Sequence, residues 1–306
     1  MLVARGGAIG DFILTLPVID ALRDEFGNDN VEVLANSQVL GLTPVAAVGA
    51  LDDPTLAHFF VAQSELAPSW CERFRDFDIV LSYLHDPAHA FQRNMQRCGV
   101  RKFVSVPAKL TAATHATEQL QVPLRQFGMA PRSAVPQLHV SDEEIAQARR
   151  RLGVSNSQAL IALHPGSGSA AKNWPIENWL ALAELLLSRH RIVAVIAGEA
   201  DHAQFAAFRS RFGERVLYAV EWPLREVAAL LAGSHFVGHD SGISHLAAAV
   251  GANCIALFGP TDPAVWAPRG LQVQIIRAPN GDLRQLPTAA VSAAVSQELM
   301  RIGIRT

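Results

Sequence analysis

The sequence predicts an α/β protein of two domains, each built on a parallel sheet. Short aliphatic runs alternate with amphipathic stretches along the 306-residue chain, which is the pattern of βαβ units. The pattern occurs twice, on either side of a polar, proline-containing segment at residues 130–140. A hydrophobic content of 50% supports a buried core in each half. We therefore expect Rossmann-like domains at residues 1–140 and 141–306.

The individual elements follow from the same periodicity. In the first half we predict strands at residues 1–4, 31–35, 79–84 and 103–106, and helices at residues 11–26, 65–74, 87–97 and 114–127. In the second half we predict strands at residues 160–163, 191–197, 216–219, 234–238 and 254–258, and helices at residues 176–189, 202–212, 224–232 and 241–250. Ser141 and Glu144 form a capping box that opens the second domain. A terminal helix at residues 288–301 has the composition to pack back on the first domain.

Composition and charge exclude several classes of function. The formal net charge is −2, so the chain has no general attraction for nucleic acid, and we expect no such partner. The three cysteines form no CxxC pair, which is typical of a reducing cytoplasm. No apolar run reaches the roughly 18 residues of a membrane-spanning helix, and the N-terminus lacks a signal-peptide pattern. We expect a cytoplasmic protein that is at most peripheral on a membrane.

A glycine-rich turn, RGGAIGD at residues 5–11, joins the first predicted strand to its helix. Its three glycines permit a tight turn and close approach of a ligand to the backbone, and Asp11 stands at the predicted helix start. Asp11 is a candidate functional carboxylate, and the alternative is that it only caps the helix. The spacing departs from GxGxxG, and no acidic residue closes a second strand, which disfavours an NAD-dependent oxidoreductase.

A second loop, HPGSGSAAKNWP at residues 164–175, follows the first strand of the second half. Glycine and serine leave backbone amides accessible, the next helix start adds a partial positive charge, and Lys172 adds a full one. Lysine occurs elsewhere only at Lys102 and Lys109, which favours a specific role for Lys172 over a solvated side chain. The loop lacks the GxxxxGK[ST] of a Walker loop, and we interpret His164 as a residue that shapes the turn. We predict a pyrophosphate site formed by Gly166, Ser167, Gly168, Ser169 and Lys172.

Two further polar clusters follow predicted strands. Glu199 comes directly after the strand at residues 191–197, where a carboxylate can accept both hydroxyls of a ribose; a solvated loop glutamate is the alternative. The segment DSGISH at residues 240–245 joins another strand to a helix of small residues. It can bind an anion or a sugar, or it can be a helix cap followed by a buried histidine. Its candidate ligand-binding residues are Asp240, Ser241, Gly242 and His245.

Together these motifs resemble those of glycosyltransferase family 9, typified by bacterial ADP-heptose:lipopolysaccharide heptosyltransferases. The segments GGAIGDFILTLPVIDALR, HPGSGSAAKNWP and DSGISHLAAAVGANCIALFGPTDP occur in the family's order and span nearly the whole chain. The resemblance implies a GT-B fold, in which two Rossmann-like domains face a central cleft and the second domain holds the nucleotide sugar. It also implies a catalytic base at Asp11, a phosphate-binding lysine at Lys172, a ribose-binding acid at Glu199, and donor-binding residues at Asp240, Ser241 and His245. Ser241 stands where many members have threonine, which keeps the hydroxyl.

The resemblance further implies an inverting transfer. Asp11 takes a proton from an acceptor hydroxyl, which attacks the anomeric carbon opposite the leaving ADP, while Lys172 and loop amides stabilise the diphosphate. ADP-heptose is the expected co-substrate, and no cofactor or metal is required. The acceptor is a lipopolysaccharide core or another glycan, which allows for peripheral contact with the inner membrane. Residues 76–78 spell DFD, the DxD of metal-dependent glycosyltransferases, but they precede a predicted strand, and we interpret the match as coincidental.

The acceptor has a candidate site of its own. On a helix at residues 87–97, His89, Arg93 and Arg97 recur every four residues and form a basic stripe. Arginine matches carboxylate and phosphate groups well, and a solvated helix face is the alternative. Two other functions stay open at this point. A nucleotide-sugar epimerase of the same architecture needs acid and base groups around the donor ring, whereas a binding module without turnover has no use for Asp11.

Overall fold

A computed structural model describes residues 1–106, 110–111, 114–130 and 133–301 of the chain. The chain divides into two compact units, Met1–Pro136 and Gln137–Thr306. The boundary expected at residue 140 falls just past this division. Residues 131 and 132 of the expected linker lie outside the described residues, as do residues 302–306 at the end of the second unit.

The first unit is a parallel five-stranded sheet with helices between the strands. The strand order is β3-β2-β1-β4-β5, and every pairing is parallel. The strands are β1 (Leu2–Arg5), β2 (Glu32–Ala35), β3 (Ala46–Ala50), β4 (Ile79–Ser82) and β5 (Lys102–Ser105). The helices are α1 (Ile9–Phe26), α2 (Pro68–Arg75), α3 (Ala90–Arg97) and α4 (Ala116–Gln121).

The second unit repeats this arrangement with six parallel strands in the order β11-β10-β9-β6-β7-β8. The strands are β6 (Leu160–His164), β7 (Ile192–Ala197), β8 (Leu217–Val220), β9 (His235–His239), β10 (Asn253–Phe258) and β11 (Val273–Arg277). The helices are α5 (Asp142–Leu152), α6 (Ile176–Ser188), α7 (His202–Phe212), α8 (Leu224–Leu231), α9 (Gly242–Ala249), α10 (Pro263–Trp266) and α11 (Thr288–Arg301).

Both sheets reverse their strand order beside their first strand. In the first unit β1 lies between β2 and β4, and in the second unit β6 lies between β7 and β9. At such a point the two connecting helices leave to opposite faces of the sheet, so a crevice opens at the carboxyl ends of the central strands. The loop after β1 contains Asp11, and the loops after β6 and β9 contain Lys172 and Asp240.

The predicted elements occur, with differences at their ends that have local causes. α2 begins at Pro68, because proline suits the first turn of a helix, rather than at residue 65. α4 ends at Gln121, and Pro123 lies in the 3-10 turn Val122–Phe127 that follows. Two edge strands, β3 and β11, were not predicted. β3 has the sequence AAVGA, which lacks the β-branched and aromatic content of a typical strand.

The terminal helix α11 packs on α6 and β10 of its own unit. Its buried face consists of Val291, Ala294, Val295 and Leu299, which join the same hydrophobic core as Trp174 and Trp179. The core thus connects the sheet to the loop that follows β6.

The capping box predicted at the start of α5 is present. The Ser141 hydroxyl accepts the N–H of Glu144 at 3.2 Å, and Glu144 accepts the N–H of Ser141 at 2.8 Å. Glu144 also receives two bonds from Arg225, at 2.7 and 3.0 Å, and hydrogen bonding from Arg225 lowers the pKa of this carboxyl to about 2. The helix start is therefore tied to α8 by a bidentate ion pair.

We expect Ser141→Ala to lower the stability of the second unit by about 1 kcal/mol, because one helix N–H loses its acceptor. Thermal unfolding followed by calorimetry measures the effect. Ser292→Ala is the matched control, since the Ser292 hydroxyl donates to the Ala289 carbonyl one turn back on α11 and does not cap a helix start. Equal melting temperatures for the two variants would contradict the capping role.

Candidate functional site

Lys172 and Asp240 form an ion pair at the switch point of the second sheet. Lys172 Nζ lies 2.6 Å from Asp240 Oδ2, although the two residues are 68 positions apart in sequence. The Asp240 side chain is 9% exposed and the Lys172 side chain 34% exposed, so the pair lies at the surface of the crevice. Two residues that the sequence predicted from separate motifs are thus brought together.

The loop between β6 and α6 is closed by one imidazole. His239 Nδ1 donates to the Gly166 carbonyl at 3.1 Å, and His239 Nε2 accepts the Trp174 N–H at 2.7 Å. A carbonyl can only accept and an amide N–H can only donate, so the two bonds define the neutral Nδ1–H tautomer. Burial lowers the pKa of His239 to about 4, which keeps the ring neutral at pH 7. His239 therefore fixes both ends of the loop segment that contains Lys172.

The far end of this loop is anchored in the core. Trp174 is 1% exposed, and its indole N–H donates to the Leu286 carbonyl at 2.8 Å. The Trp179 ring packs edge-on against Trp174 and against His239, with centroids 5.3 and 5.2 Å away. Between these anchors, Gly168 and Ser169 are exposed, and the Ser167 hydroxyl lies 2.8 Å from the Ser169 carbonyl. The loop presents its exposed part on a rigid base.

Gly166 has no room for a side chain. A Cβ atom there would lie 1.6 Å from Asp201 Oδ1. Asp201 is 5% exposed, and it accepts the N–H of Gly198 at 2.9 Å, so the loops after β6 and β7 are packed together. Burial alone would raise the pKa of Asp201, but the adjacent His164 and the Gly198 N–H together lower it, which favours a charged carboxylate.

Ser241 is the N-cap of α9. Its hydroxyl accepts the N–H of Ser244 at 3.4 Å, so the capping interpretation holds for Ser241, whereas Asp240 pairs with Lys172. Gly242 and Ile243 stand in the first helical turn, whose N–H groups have no acceptor within the helix. These N–H groups place a partial positive charge at the start of α9, on the side of the crevice. His245 is 5% exposed on the same helix.

Glu199 is exposed at the start of a 3-10 turn directly after β7. β7 lies beside β6, on the side away from β9. The predicted donor residues therefore occupy the ends of three adjacent strands: Glu199 after β7, Gly166, Ser167, Gly168, Ser169 and Lys172 after β6, and Asp240, Ser241, Gly242 and His245 after β9.

In the first unit, Asp11 is held by a buried arginine. Arg5 is 9% exposed; its NH2 group lies 3.0 Å from Asp11 Oδ1, and its Nε donates to the Asp11 carbonyl at 3.0 Å. The guanidinium also lies over the Tyr83 ring, 5.6 Å from the centroid. The Asp11 side chain is 35% exposed, so the carboxylate is fixed on one side and open to solvent on the other.

Asp11 is not the N-cap that the sequence suggested. α1 begins at Ile9 after the N-cap Ala8, and Asp11 caps the helix from its third position by accepting the Ala8 N–H at 2.9 Å. Gly7 makes this turn possible. It has φ of +94°, and a Cβ atom there would lie 2.4 Å from Asp11 Oδ2.

The predicted basic stripe does not include His89, because this residue precedes helix α3. Asp86 accepts the N–H groups of Ala90 and Gln92, at 2.8 and 3.0 Å, and so starts α3 at Ala90 rather than at residue 87. His89 stands before the helix in the left-handed region, with φ of +52°.

Arg93 and Arg97 are on the helix and exposed, but each guanidinium also donates a hydrogen bond to a backbone carbonyl. Arg93 donates to the Ala88 carbonyl at 2.6 Å, and Arg97 to the Ser64 carbonyl at 3.0 Å. Asp76 and Asp78 of the DxD match pair with Arg73 and Arg101 at the amino end of β4.

Sequence reasoning missed Asp201 and His239 and assigned His164 only to the turn. Asp201 lies two residues after Glu199, and His239 directly precedes Asp240. Their positions at strand ends were a signal, but their partners are distant in sequence: 65 positions separate His239 from Trp174. Contacts of that range follow from the sheet order.

Comparisons with known proteins assign the chain to a family. The profile of glycosyltransferase family 9 (heptosyltransferase) matches residues 85–291, more than half of the chain. The chain belongs to glycosyltransferase family 9. The match contains the β6, β7 and β9 loops, whereas Asp11 lies before it. None of the helices in the described ranges is long and apolar enough to cross a membrane.

Individual relatives are similar over part of their length. Lipooligosaccharide heptosyltransferase 2 of Haemophilus ducreyi is 28% identical over 182 residues, 55% of this chain and 52% of the relative. Lipopolysaccharide heptosyltransferase 1 of Escherichia coli is 35% identical over 130 residues, 41% of this chain and 39% of the relative. The chain thus spans about half the length, or less, of these curated relatives.

The fold is that of known heptosyltransferases. Escherichia coli ADP-heptose LPS heptosyltransferase II has a TM-score of 0.80 at 18% identity, with 98% of each chain covered. Escherichia coli heptosyltransferase WaaC with ADP has a TM-score of 0.71 at 18% identity, with 97% of this chain and 98% of that chain covered. The GT-B fold predicted from the sequence is confirmed.

We expect acidification to destabilise the second unit through His239. Its pKa is about 4 when folded and near the ordinary 6.5 when unfolded, so the unfolded chain binds the extra proton between these values. Stability is full above pH 6.5 and falls as pH drops toward 4, by up to about 3 kcal/mol.

His239→Gln removes this titration and is the comparison to make. Calorimetric melting at several values between pH 7 and 4.5 should show a steeper loss for the wild type than for His239→Gln. Parallel pH dependences of the two melting temperatures would contradict the assignment.

Proposed function

We propose that this chain is an inverting, metal-independent heptosyltransferase that moves a heptose or related sugar from an ADP-sugar to a lipopolysaccharide-core or other glycan acceptor. The observation that carries the proposal is the Lys172–Asp240 pair at the switch point of the second sheet, in a member of glycosyltransferase family 9. The relatives transfer heptose to lipooligosaccharide or lipopolysaccharide by their names, which supports the acceptor class, and the structurally similar Escherichia coli ADP-heptose LPS heptosyltransferase II supports the donor.

The second unit supplies the donor site. Lys172 and the first-turn amides of α9 bring positive charge to one place, as leaving-group stabilisation requires. Asp240 keeps the ammonium oriented before the ligand arrives, because the two side chains are already in contact. Glu199 is free to accept the ribose hydroxyls at the neighbouring strand end. An ADP moiety bound across these strand ends explains why the charged groups converge there.

Asp11 supplies the base. Its carboxylate pairs with Arg5, accepts the Ala8 N–H at the helix start and is partly exposed, which suits a group that removes a proton from an acceptor hydroxyl. As the proton moves to Asp11, the acceptor oxygen attacks the anomeric carbon and the bond to the ADP oxygen breaks, so the configuration inverts. Negative charge then develops on the diphosphate, where Lys172 stabilises it.

The acceptor site belongs to the first unit in this proposal. Arg93 and Arg97 are exposed on α3 and offer guanidinium groups to the anionic substituents of a core oligosaccharide. Because each arginine already donates to a backbone carbonyl, its position is constrained before binding. His89 precedes the helix and remains a candidate by proximity in sequence to Arg93. Cytoplasmic location and peripheral contact with the inner membrane are part of the same proposal.

Lys172→Ala should weaken ADP binding by about 1 to 3 kcal/mol, the scale of a lost charge-assisted hydrogen bond. It also leaves the Asp240 carboxylate without its cation. Calorimetric titration with ADP at low salt measures the change. Lys102→Ala is the matched control, because Lys102 lies over the Phe127 ring in the first unit and has no role in the donor site. Equal ADP affinity for wild type and Lys172→Ala would exclude the phosphate contact.

Asp11→Asn should retain ADP-heptose binding and lose transfer by about a hundredfold or more, because the amide preserves shape but cannot take the proton. Transfer is measured by identifying the glycosylated product, which also separates a transferase from an epimerase. Asp20→Asn is the control: Asp20 is on the same helix and pairs with Arg23 at 3.0 Å. Transfer within a few-fold of wild type in Asp11→Asn would remove Asp11 from the catalytic role.

A further inference from the structure

Two of the three cysteines meet in the first unit. Cys71 is on α2, and Cys98 directly follows α3. The Cys98 thiol forms a hydrogen bond with the Cys71 thiol, and both side chains pack in one hydrophobic cluster. The sequence has no CxxC pair, so the contact results from the packing of α2 against the end of α3. The proposed function gives neither thiol a part.

The backbone around the two thiols is closely packed. The residue after Cys98 lies against α2, since a Cβ atom at Gly99 would lie 3.4 Å from Arg75 Cγ, one helical turn after Cys71. The Cys98 N–H donates to the Asn94 carbonyl at 3.2 Å and so belongs to the end of α3. Helix ends, rather than long loops, therefore hold the two sulfur atoms together.

The two thiols differ in accessibility. Cys98 is 3% exposed, whereas Cys71 is half-buried. Burial, followed by the hydrogen bond to Cys71, raises the pKa of Cys98 to about 12, although the charges of Arg97 and Arg75 act to lower it. Cys98 therefore keeps its proton at pH 7, and a reagent from solvent reaches Cys71 first. The pair consists of an accessible thiol with a buried thiol behind it.

Cys254, the remaining cysteine, has no such neighbour. It lies in β10 of the second unit, is 2% exposed, and donates to the Ser244 carbonyl at 3.8 Å. Burial raises the pKa of this thiol to about 12. Because the other two cysteines of the sequence are in the first unit, Cys254 is an internal control for reactions of the pair.

The surface beside the pair carries charges of both signs. Arg75 and Arg97 are exposed and act electrostatically on Cys98, while Glu72 is exposed next to Cys71 in sequence. Two guanidinium groups against one carboxylate favour an anionic reagent. Oxidised glutathione is a low-mass disulfide that carries carboxylates, so it matches the pair both in charge and in chemistry.

We infer that Cys71 and Cys98 are a redox modification site, which a low-mass anionic disulfide such as oxidised glutathione converts into an intramolecular disulfide. The Cys71 sulfur gives up its proton, attacks one sulfur of oxidised glutathione and expels one glutathione thiolate, which takes up a proton. The Cys98 sulfur then gives up its proton, attacks Cys71 Sγ of the mixed disulfide and expels the second glutathione. Two protein thiols are oxidised, and one oxidised glutathione is reduced to two glutathione molecules.

The contact between the thiols favours the second step. Two groups held side by side react as if each were at high concentration, so Cys98 competes well with free glutathione for the mixed disulfide. Bond formation also removes the buried Cys98 thiol from the apolar cluster without leaving a charge there. The bond ties the end of α3, the helix that carries Arg93 and Arg97, to α2.

Mass spectrometry tests the product. The native protein is incubated with oxidised glutathione, then unfolded with N-ethylmaleimide to block the remaining thiols, and its intact mass and linked peptides are measured. The main product should contain a Cys71–Cys98 disulfide and a blocked Cys254, and dithiothreitol should restore three free thiols. A stable glutathione adduct on Cys71, three blocked thiols, or a disulfide between two chains as the main product would overturn the inference.

Single variants test the order of the steps. Cys98→Ala should stop at the mixed disulfide on Cys71, because no second thiol resolves it. Cys71→Ala should leave the buried Cys98 unmodified. Cys254→Ala is the matched control and should form the same disulfide as the wild type. Glutathione on Cys98 of folded Cys71→Ala would contradict the order, and the wild-type product decides the inference even where a variant does not fold.

Thermal unfolding tests whether the folded protein accommodates the bond. The oxidised wild type should melt several degrees above the dithiothreitol-reduced wild type, because the disulfide restricts the unfolded chain between the two cysteines. Cys71→Ala should melt at one temperature after either treatment. An oxidised form that melts at or below the reduced form would mean that the folded first unit does not favour the bond, against the inference. These measurements use no substrate, so their outcome is separate from that of the proposed function.

Discussion

The packing of the loops at the carboxyl ends of β6, β7 and β9 is the constraint on which the proposed donor site depends. His239, at the end of β9, bonds to both ends of the loop after β6, and Asp201, in the turn after β7, fills the space beside Gly166. The parallel sheet brings these three strand ends together, and the buried side chains between them leave one arrangement for the loop. Lys172 is already paired with Asp240 in this arrangement, so little further side-chain entropy is lost when a ligand binds.

The buried polar side chains His239 and Asp201 both form hydrogen bonds, which offset the free-energy cost of burying them and fix their orientation. His239 must remain neutral to accept the Trp174 N–H, whereas Asp201 must remain charged to accept from Gly198 and His164. A neutral imidazole and an ionised carboxylate are both compatible with pH 7. Such a network orients the half-buried groups beside it, Lys172 and Ser241, because Lys172 pairs with Asp240 and Ser241 lies against His164.

The first unit uses the same principle with fewer groups. Arg5, held over the Tyr83 ring, bonds to both the side chain and the carbonyl of Asp11, and the Ala8 N–H bonds to the other carboxylate oxygen. The carboxylate thus keeps one direction open to solvent. Gly7 has to be glycine for two reasons, its positive φ and the nearness of Asp11. Capping and the proposed role as base are therefore compatible at Asp11, since the contact that caps α1 also orients the carboxylate.

The sequence by itself determined the two-unit α/β fold, the succession of most strands and helices along the chain, and most of the residues at the strand ends. Hydrophobic periodicity is a local property, and so are the capping box at Ser141 and the glycine-rich turn before Asp11. The edge strand β3 escaped prediction because its sequence, AAVGA, has little β-branched or aromatic content and is held by pairing with one neighbour. β11, VQIIR, is rich in β-branched residues and was missed although its sequence suits a strand. Only the tertiary structure decided that Lys172 meets Asp240, that His239 closes the loop and that Asp201 stands behind His164. Those contacts depend on the strand order β9-β6-β7, which no local pattern encodes, because sheet order is set by how whole βαβ units pack together.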